Sequence, residues 1–189
     1  TPSLNIAVVG MTMAIFIMLL SLMIVQGFKN EISNKLYSLD SHIKVTPFHY
    51  SPDASGIIKV DSELINLIKN TDSQITDVSL AIEKSVVLKT TDNFKGLYFK
   101  GVDSSYNWNY LNSVMVDGCA PDFSTTPNGV ILSKNNADKL KLKIGDKIRA
   151  YFISESVKTR NLVLTGVYKS DLEDFDNNYI LGDINLLRG

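Results

Sequence analysis

The sequence predicts an α+β domain set behind one transmembrane α-helix and a helical stalk. Three observations carry that reading. The first 28 residues hold no charged side chain, although the chain of 189 residues has 19 Lys and Arg and 20 Asp and Glu. The apolar run then passes without a proline into an amphipathic stretch that ends near Asp40. Beyond it, short alternating runs and short helical patterns interleave without the regular βαβ crossovers of an α/β fold. The mean hydropathy of +0.05 is thus an average over two unlike parts.

The segment from Ile6 to Phe28, IAVVGMTMAIFIMLLSLMIVQGF, has 23 residues. As a helix it reaches about 34 Å, enough to cross a hydrocarbon core of about 30 Å. A signal peptide would show a basic start, a shorter apolar run and a small-residue cleavage site, and these are not seen. At 100° per residue Ala7, Gly10, Ala14 and Ser21 fall within an arc of about 60°. Small residues on one face let a neighbouring helix approach, so this face is expected to pack in a membrane bundle. Phe28, Ile32, Leu36 and Leu39 continue as apolar positions of the stalk, the first two and Leu39 close to the same arc, while Lys29, Asn30, Glu31 and Asn34 point elsewhere. One helix of about 35 residues, roughly 50 Å long, is expected to leave the membrane as a stalk. The expected organisation is a membrane helix over residues 1–28, a stalk over 29–40 and an α+β domain over 41–189, two-lobed and truncated at its C-terminus. Lys29 and Lys35 follow the span, but large domains translocate largely regardless of such charges, so orientation is not fixed by them.

After the stalk, His42 to Pro47 alternates as a strand that Pro47 closes. Asp61 or Ser62 is placed to cap a helix through Asn70, with Leu64, Ile65 and Ile68 on its packing face. Ser85 to Lys89 and Leu97 to Val102 flank Asp92-Asn93 as a hairpin. Tyr106, Trp108 and Tyr110 lie in an irregular stretch and are read as anchors on the core rather than as a stacking surface. Val130 to Ser133 reads as a buried strand, after which Ser133 caps a helix through Leu140. A strand ending near Ile153, a polar tip and a strand from Leu162 to Tyr168 follow. Tyr179 to Leu181 is a last short strand before Asp183 caps a further helical turn.

The search for catalysis is largely negative. A net charge of −1 leaves no electrostatic footprint for nucleic acid. The single cysteine, Cys119, cannot form an internal disulfide or a multi-cysteine metal site. Phosphate-binding GxxxxGK[ST] and GxGxxG, nucleophilic GxSxG and metal-binding HExxH patterns are not present. His42 and His49 are too far apart to share a helical face. The acidic run Asp171-Leu172-Glu173-Asp174-Phe175-Asp176 lacks the glycine of a calcium loop and reads as a solvated loop. The expectation is therefore no catalytic residue, no metal and no cofactor in this chain. The tip formed by Ser154, Glu155, Ser156, Val157, Lys158, Thr159 and Arg160 is the candidate partner-binding loop, because such tips are frequent contact points.

The order of the pieces resembles a known family. The membrane helix running into VQGFKNEISNKL and SHIKVTPF is similar to the first transmembrane helix and stalk of ABC-transporter permeases of the lipoprotein-releasing and macrolide-exporter class. GLYFKGVD, VILSKNNADKLKLKIGDKIRAYF and NLVLTGVYKSDLEDFDNNYILGDINLL continue the likeness through that family's periplasmic domain, most like the Bacteroidetes type. The resemblance implies a bacterial inner-membrane permease subunit, its large domain in the periplasm and its helix the first of four. It implies an ABC ATPase, separate or fused, a second permease copy in a homo- or heterodimer, membrane lipids around the helix, and a periplasmic carrier or adaptor. The implied cargo is lipoproteins, passed from the inner membrane to the carrier. In the best-known lipoprotein-releasing permeases an extended hairpin captures the carrier. The connection between the corresponding strands here is only Ser154 to Arg160, which suits an exporter or signalling permease equally. A single-pass anchored sensor or binding module is the alternative from another class.

Overall fold

A run of uncharged, mostly helix-compatible residues begun by a proline, whose fixed φ suits a first helical turn, forms one uninterrupted helix. In the computed structural model this helix, α1, covers Pro2–Leu39. The structure describes residues 2–47, 58, 60–91, 93–153 and 157–188. Two compact units result, Thr1–Ile43 and Lys44–Gly189.

The second unit is built on a seven-stranded mixed sheet. Its elements are α2 (Ser62–Thr71), β1 (Ala81–Lys89), β2 (Phe94–Val102), α3 (Asn109–Ser113), β3 (Met115–Gly118), β4 (Gly129–Ser133), α4 (Lys134–Leu140), β5 (Lys147–Phe152), β6 (Lys158–Tyr168), α5 (Glu173–Asn178), β7 (Tyr179–Asp183) and a 3₁₀ turn, Ile184–Leu186. The sheet order is β3-β6-β4-β7-β2-β1-β5, and β5 pairs again with β6. Six strands, β6-β4-β7-β2-β1-β5, therefore close into a ring, with β3 laid against the far half of β6. Two of the pairings, β2 with β7 and β4 with β6, are parallel and the others antiparallel. Closure removes the strand edges that an open sheet must protect.

Alternation along the strands fills the ring. Leu88, Phe99, Val130, Leu132, Ile148, Ala150, Leu162, Leu164 and Ile180 are all 0% exposed. Full burial of a large apolar side chain contributes about 1.5–3 kcal/mol, so this set dominates the stability of the domain. Gly118 and Gly166 face each other where β3 meets β6. A Cβ on Gly118, at φ +71°, would lie 2.2 Å from the Thr165 carbonyl oxygen, and one on Gly166 2.6 Å from that of Cys119. Only glycine permits that approach.

Local caps fall where the sequence places them. Asp61 Oδ1 accepts from Leu64 N–H at 2.8 Å, Ser133 Oγ from Asn136 N–H at 3.3 Å, and Asp183 Oδ1 from Asn185 N–H at 2.9 Å. Other expectations are corrected. His42 to Pro47 is not a strand; Ile43 and Val45 stay 78% and 71% exposed, so the alternation buries no face. The hairpin strands are longer than expected, with Lys89 opposite Phe94 and Thr90 N–H donating to the Asn93 carbonyl at 2.9 Å. Asp92 and His49 lie outside the described residues. The stretch after Trp108 forms α3 and then β3, which its Asn- and Ser-rich composition conceals. The acidic run is not a loop: Glu173 to Asp176 opens α5, and Asp176 is only 4% exposed.

Candidate functional site

Three regions hold the residues singled out by the sequence. On α1, the apolar side chains from Leu4 to Phe28 lie exposed, Ile6 by 73%, Met23 by 74% and Phe28 by 67%. The whole helix reaches about 57 Å at 1.5 Å per residue. Its most apolar 18-residue window has a mean hydropathy of 2.7, so it is long and apolar enough to cross a membrane. The Thr12 hydroxyl is satisfied inside the helix, donating to the Val8 carbonyl at 2.8 Å. That internal bond is what an apolar solvent demands of a hydroxyl. Ala7, Gly10, Ala14 and Ser21 are exposed along one arc, and a Cβ on Gly10 would meet no atom within 4 Å.

The polar end of α1 is organised differently. Glu31 and Lys35 form an i,i+4 ion pair at 3.8 Å, and Ser38 Oγ donates to the Asn34 carbonyl at 2.8 Å. Phe28 and Leu36 are exposed, Ile32 half-buried and Leu39 buried. Just past the helix, the His42 ring stacks on Tyr37 with centroids 4.3 Å apart. In the second unit Lys44 Nζ meets Glu83 Oε1 at 2.7 Å, which ties the start of that unit to β1.

The candidate partner loop is shorter than its sequence suggests. Lys158, Thr159 and Arg160 belong to β6, in register with Phe152, Tyr151 and Ala150 of β5. Only residues 153–157 connect the two strands; Ser154, Glu155 and Ser156 lie outside the described residues, and Val157 is 66% exposed. Polar and charged side chains at 158–160 hide a strand because its outer face is solvated.

A buried polar knot escaped the sequence reading. Ser133 Oγ donates to the Asp176 carbonyl, and Asn136 Nδ2 donates to the same oxygen at 2.9 Å. The Asp176 carboxylate accepts from Ser170 Oγ at 2.7 Å and from Ser170 N–H at 3.2 Å. Lys95 Nζ donates to Asn136 Oδ1. Burial and the nearby Lys139 charge both lower the Lys95 pKa. These bonds stitch α4 and α5 to the ends of β4 and β6. Their role is architectural, since every polar atom named is turned to the protein. Close by, the Tyr168 hydroxyl is buried with no hydrogen-bond partner among the described residues, and burial first, then Asp176 and Tyr106, holds its pKa well above the usual value.

The aromatic anchors behave as expected. Tyr106 is 7% exposed and packs edge-on against Trp108, which in turn meets Phe123. Cys119 is a free, exposed thiol. Among the described residues no three His, Cys, Asp or Glu side chains converge as a metal centre would require.

Comparison with known proteins places this arrangement. No curated protein sequence matches it. Among solved structures the chain is similar to the extracellular domain of the noncanonic ABC-type transporter YknZ from Gram-positive bacteria, at 19% identity and a TM-score of 0.49. That match covers 67% of this chain and 64% of the other. It is also similar to the periplasmic region of MacB from Actinobacillus actinomycetemcomitans, at 12% identity and a TM-score of 0.45, over 66% of this chain and 56% of that one. The chain thus spans less than two thirds of either relative. The profile of the MacB-like periplasmic core domain matches residues 5–188, through both the apolar helix and the ring of strands. With that profile running almost end to end, the chain belongs to the family of MacB-like periplasmic core domains.

Proposed function

We propose that this chain is the N-terminal part of a permease subunit of a mechanically coupled ABC transporter. The observation that carries the reading is the single family match over residues 5–188, which includes helix and barrel in one order. Residues 1–28 cross the bacterial inner membrane, residues 29–40 form the stalk, and the domain works in the periplasm. Ala7, Gly10, Ala14 and Ser21 pack against other membrane helices; Phe28, Ile32, Leu36 and Leu39 dock the stalk. The chain itself is not an enzyme. ATP binding and hydrolysis belong to a separate or fused ATPase, and a second permease copy completes the transporter. An exposed apolar helix of this length is stable only when lipid or other helices cover it, which supports membrane insertion.

The cargo we propose is lipoproteins, extracted from the inner membrane and passed to a periplasmic carrier. The short connection over residues 153–157 favours a second reading. It gives little surface for capturing a carrier, and suits an exporter or signalling permease with another periplasmic partner. Co-purification of the full-length protein with its ATPase, followed by mass spectrometry of bound molecules, separates the two. Triacylated proteins are the expected result. Recovery of small amphiphiles alone would replace lipoprotein release with export, and failure to recover any ATPase would overturn the transporter reading itself.

A further inference from the structure

The outer face of β1, β2 and β5 carries charge that the fold does not neutralise. Lys89 lies directly opposite Arg149 in the antiparallel pairing of β1 and β5, and Lys147 points from the same face. All three are exposed, and among the described residues none of the three makes an ion pair. Side chains opposed in this way are only about 5 Å apart at Cβ, where like charges destabilise a sheet. Two acidic groups of this region do not pair with them. Glu83, at the far end of β1, holds Lys44, and the Asp146 carboxylate accepts the Lys143 N–H at 2.8 Å.

The same face has an apolar floor and relief. Phe94 stands 79% exposed beside Lys89, while Val87 and Tyr151 are half-buried at its base. A Cβ on Gly96, opposite Val87, would meet nothing within 4 Å. Two shallow grooves of about 290 Å³ each meet at Thr90 and Thr91. One is lined by Val87, Lys89, Phe94 and Tyr151, the other by Lys141, Asp146 and Lys147.

We infer that this face docks an acidic polypeptide segment of a partner protein, its carboxylates meeting Lys89, Arg149 and Lys147 and an apolar side chain resting beside Phe94. Exposed aromatic groups with adjacent cations are what protein partners use as anchors and steering charge. Recognition of a small free anion would call for a desolvated cation or a cluster of backbone N–H groups, and these three cations are solvated. Attraction to an anionic membrane generally takes four to eight clustered cations on a surface with protruding apolar groups. Here four cations, Lys141 included, ring two recesses instead of a flat surface, and a single aromatic side chain, Phe94, stands exposed beside them, which suits one side chain of a peptide.

The inference names a partner surface for the transporter proposed above and rests on that reading. The test needs no ATPase, so failure here leaves the transporter reading intact, and failure of that reading leaves the binding measurable. The full chain in phosphatidylcholine nanodiscs is titrated against a fluorescein-labelled peptide of alternating Glu and Leu, and against its Gln/Leu analogue. Saturable anisotropy is expected for the acidic peptide, about tenfold weaker for the neutral one, and declining with salt. Arg149→Glu is expected to weaken binding about tenfold while raising the Tm, because it turns an opposed cation into a partner for Lys89. Phe94→Ala is expected to weaken binding with the Tm unchanged. Absence of saturable binding, or binding indifferent to both substitutions, would overturn the proposal. So would displacement of the peptide by nanodiscs containing phosphatidylglycerol, which would assign the face to lipid.

Discussion

Tyr168 shows how one side chain can set a pH limit. Its ring is 0% exposed and its hydroxyl has no partner among the described residues. The folded-state pKa is held well above the usual tyrosine value, mainly by burial. The unfolded chain releases this proton near pH 10, whereas the native state keeps it. Stability linked to Tyr168 is therefore complete below about pH 10 and falls as the pH rises towards the folded-state pKa. Tyr168→Phe should remove that part of the alkaline loss in denaturant melts. At neutral pH it should also stabilise the domain by about 1 kcal/mol, since an unpartnered buried hydroxyl is removed without changing the ring. A neutral-pH loss of similar size would show that the hydroxyl has a stabilising partner. At this scale the sequence is most legible where the chemistry is local. Asp61, Ser133 and Asp183 announce their caps because the acceptor and the bonded N–H are two or three residues apart. Lys89 and Arg149 announce nothing, since only the β1–β5 pairing makes them neighbours.

Elements were legible in proportion to how much of each is buried. β4 is buried at every position and reads as a strand at once, whereas β6 begins with exposed Lys158 and Thr159 and reads as loop for its first residues. α5 was concealed because Asp176 looks like surface charge, yet its carboxylate holds Ser170 in the interior. His42 to Pro47 has the right period and no strand pairing, which is why periodicity alone misplaced it. α1 is the opposite case, its length and continuity following directly from composition. Its small-residue arc provides an element-scale prediction. Gly10→Leu meets no atom within 4 Å of the new Cβ and replaces a weak helix former, so in the isolated chain helix content should hold or rise and barrel stability should not change. In the transporter proposed above, the same change should lower complex yield and ATPase coupling by blocking close approach of a neighbouring helix. Normal yield and coupling would rule out that packing face.

The molecule as a whole divides where the helix has ended and the barrel has not begun. Because the entire ring of strands lies within Lys44–Gly189, that segment should fold when expressed without α1. The expected result is a soluble protein with one cooperative thermal transition by circular dichroism. Non-cooperative melting or aggregation would show that the barrel depends on the helix. The α+β class was readable from the interleaving of short elements, but ring closure was not. It depends on β5 meeting both β1 and β6, and on the parallel pairings β2–β7 and β4–β6, none of which leaves a periodic trace. Closure also bears on how the domain carries load. A pull arriving through Lys44 and Glu83 enters β1, and β1 is hydrogen-bonded to β2 along one edge and to β5 on the other. Force directed along such a strand acts in shear, so many bonds resist together instead of opening one by one like a zipper. A ring closed in this way yields to such a pull as one body, because none of its six strands is left with a single neighbour from which to peel.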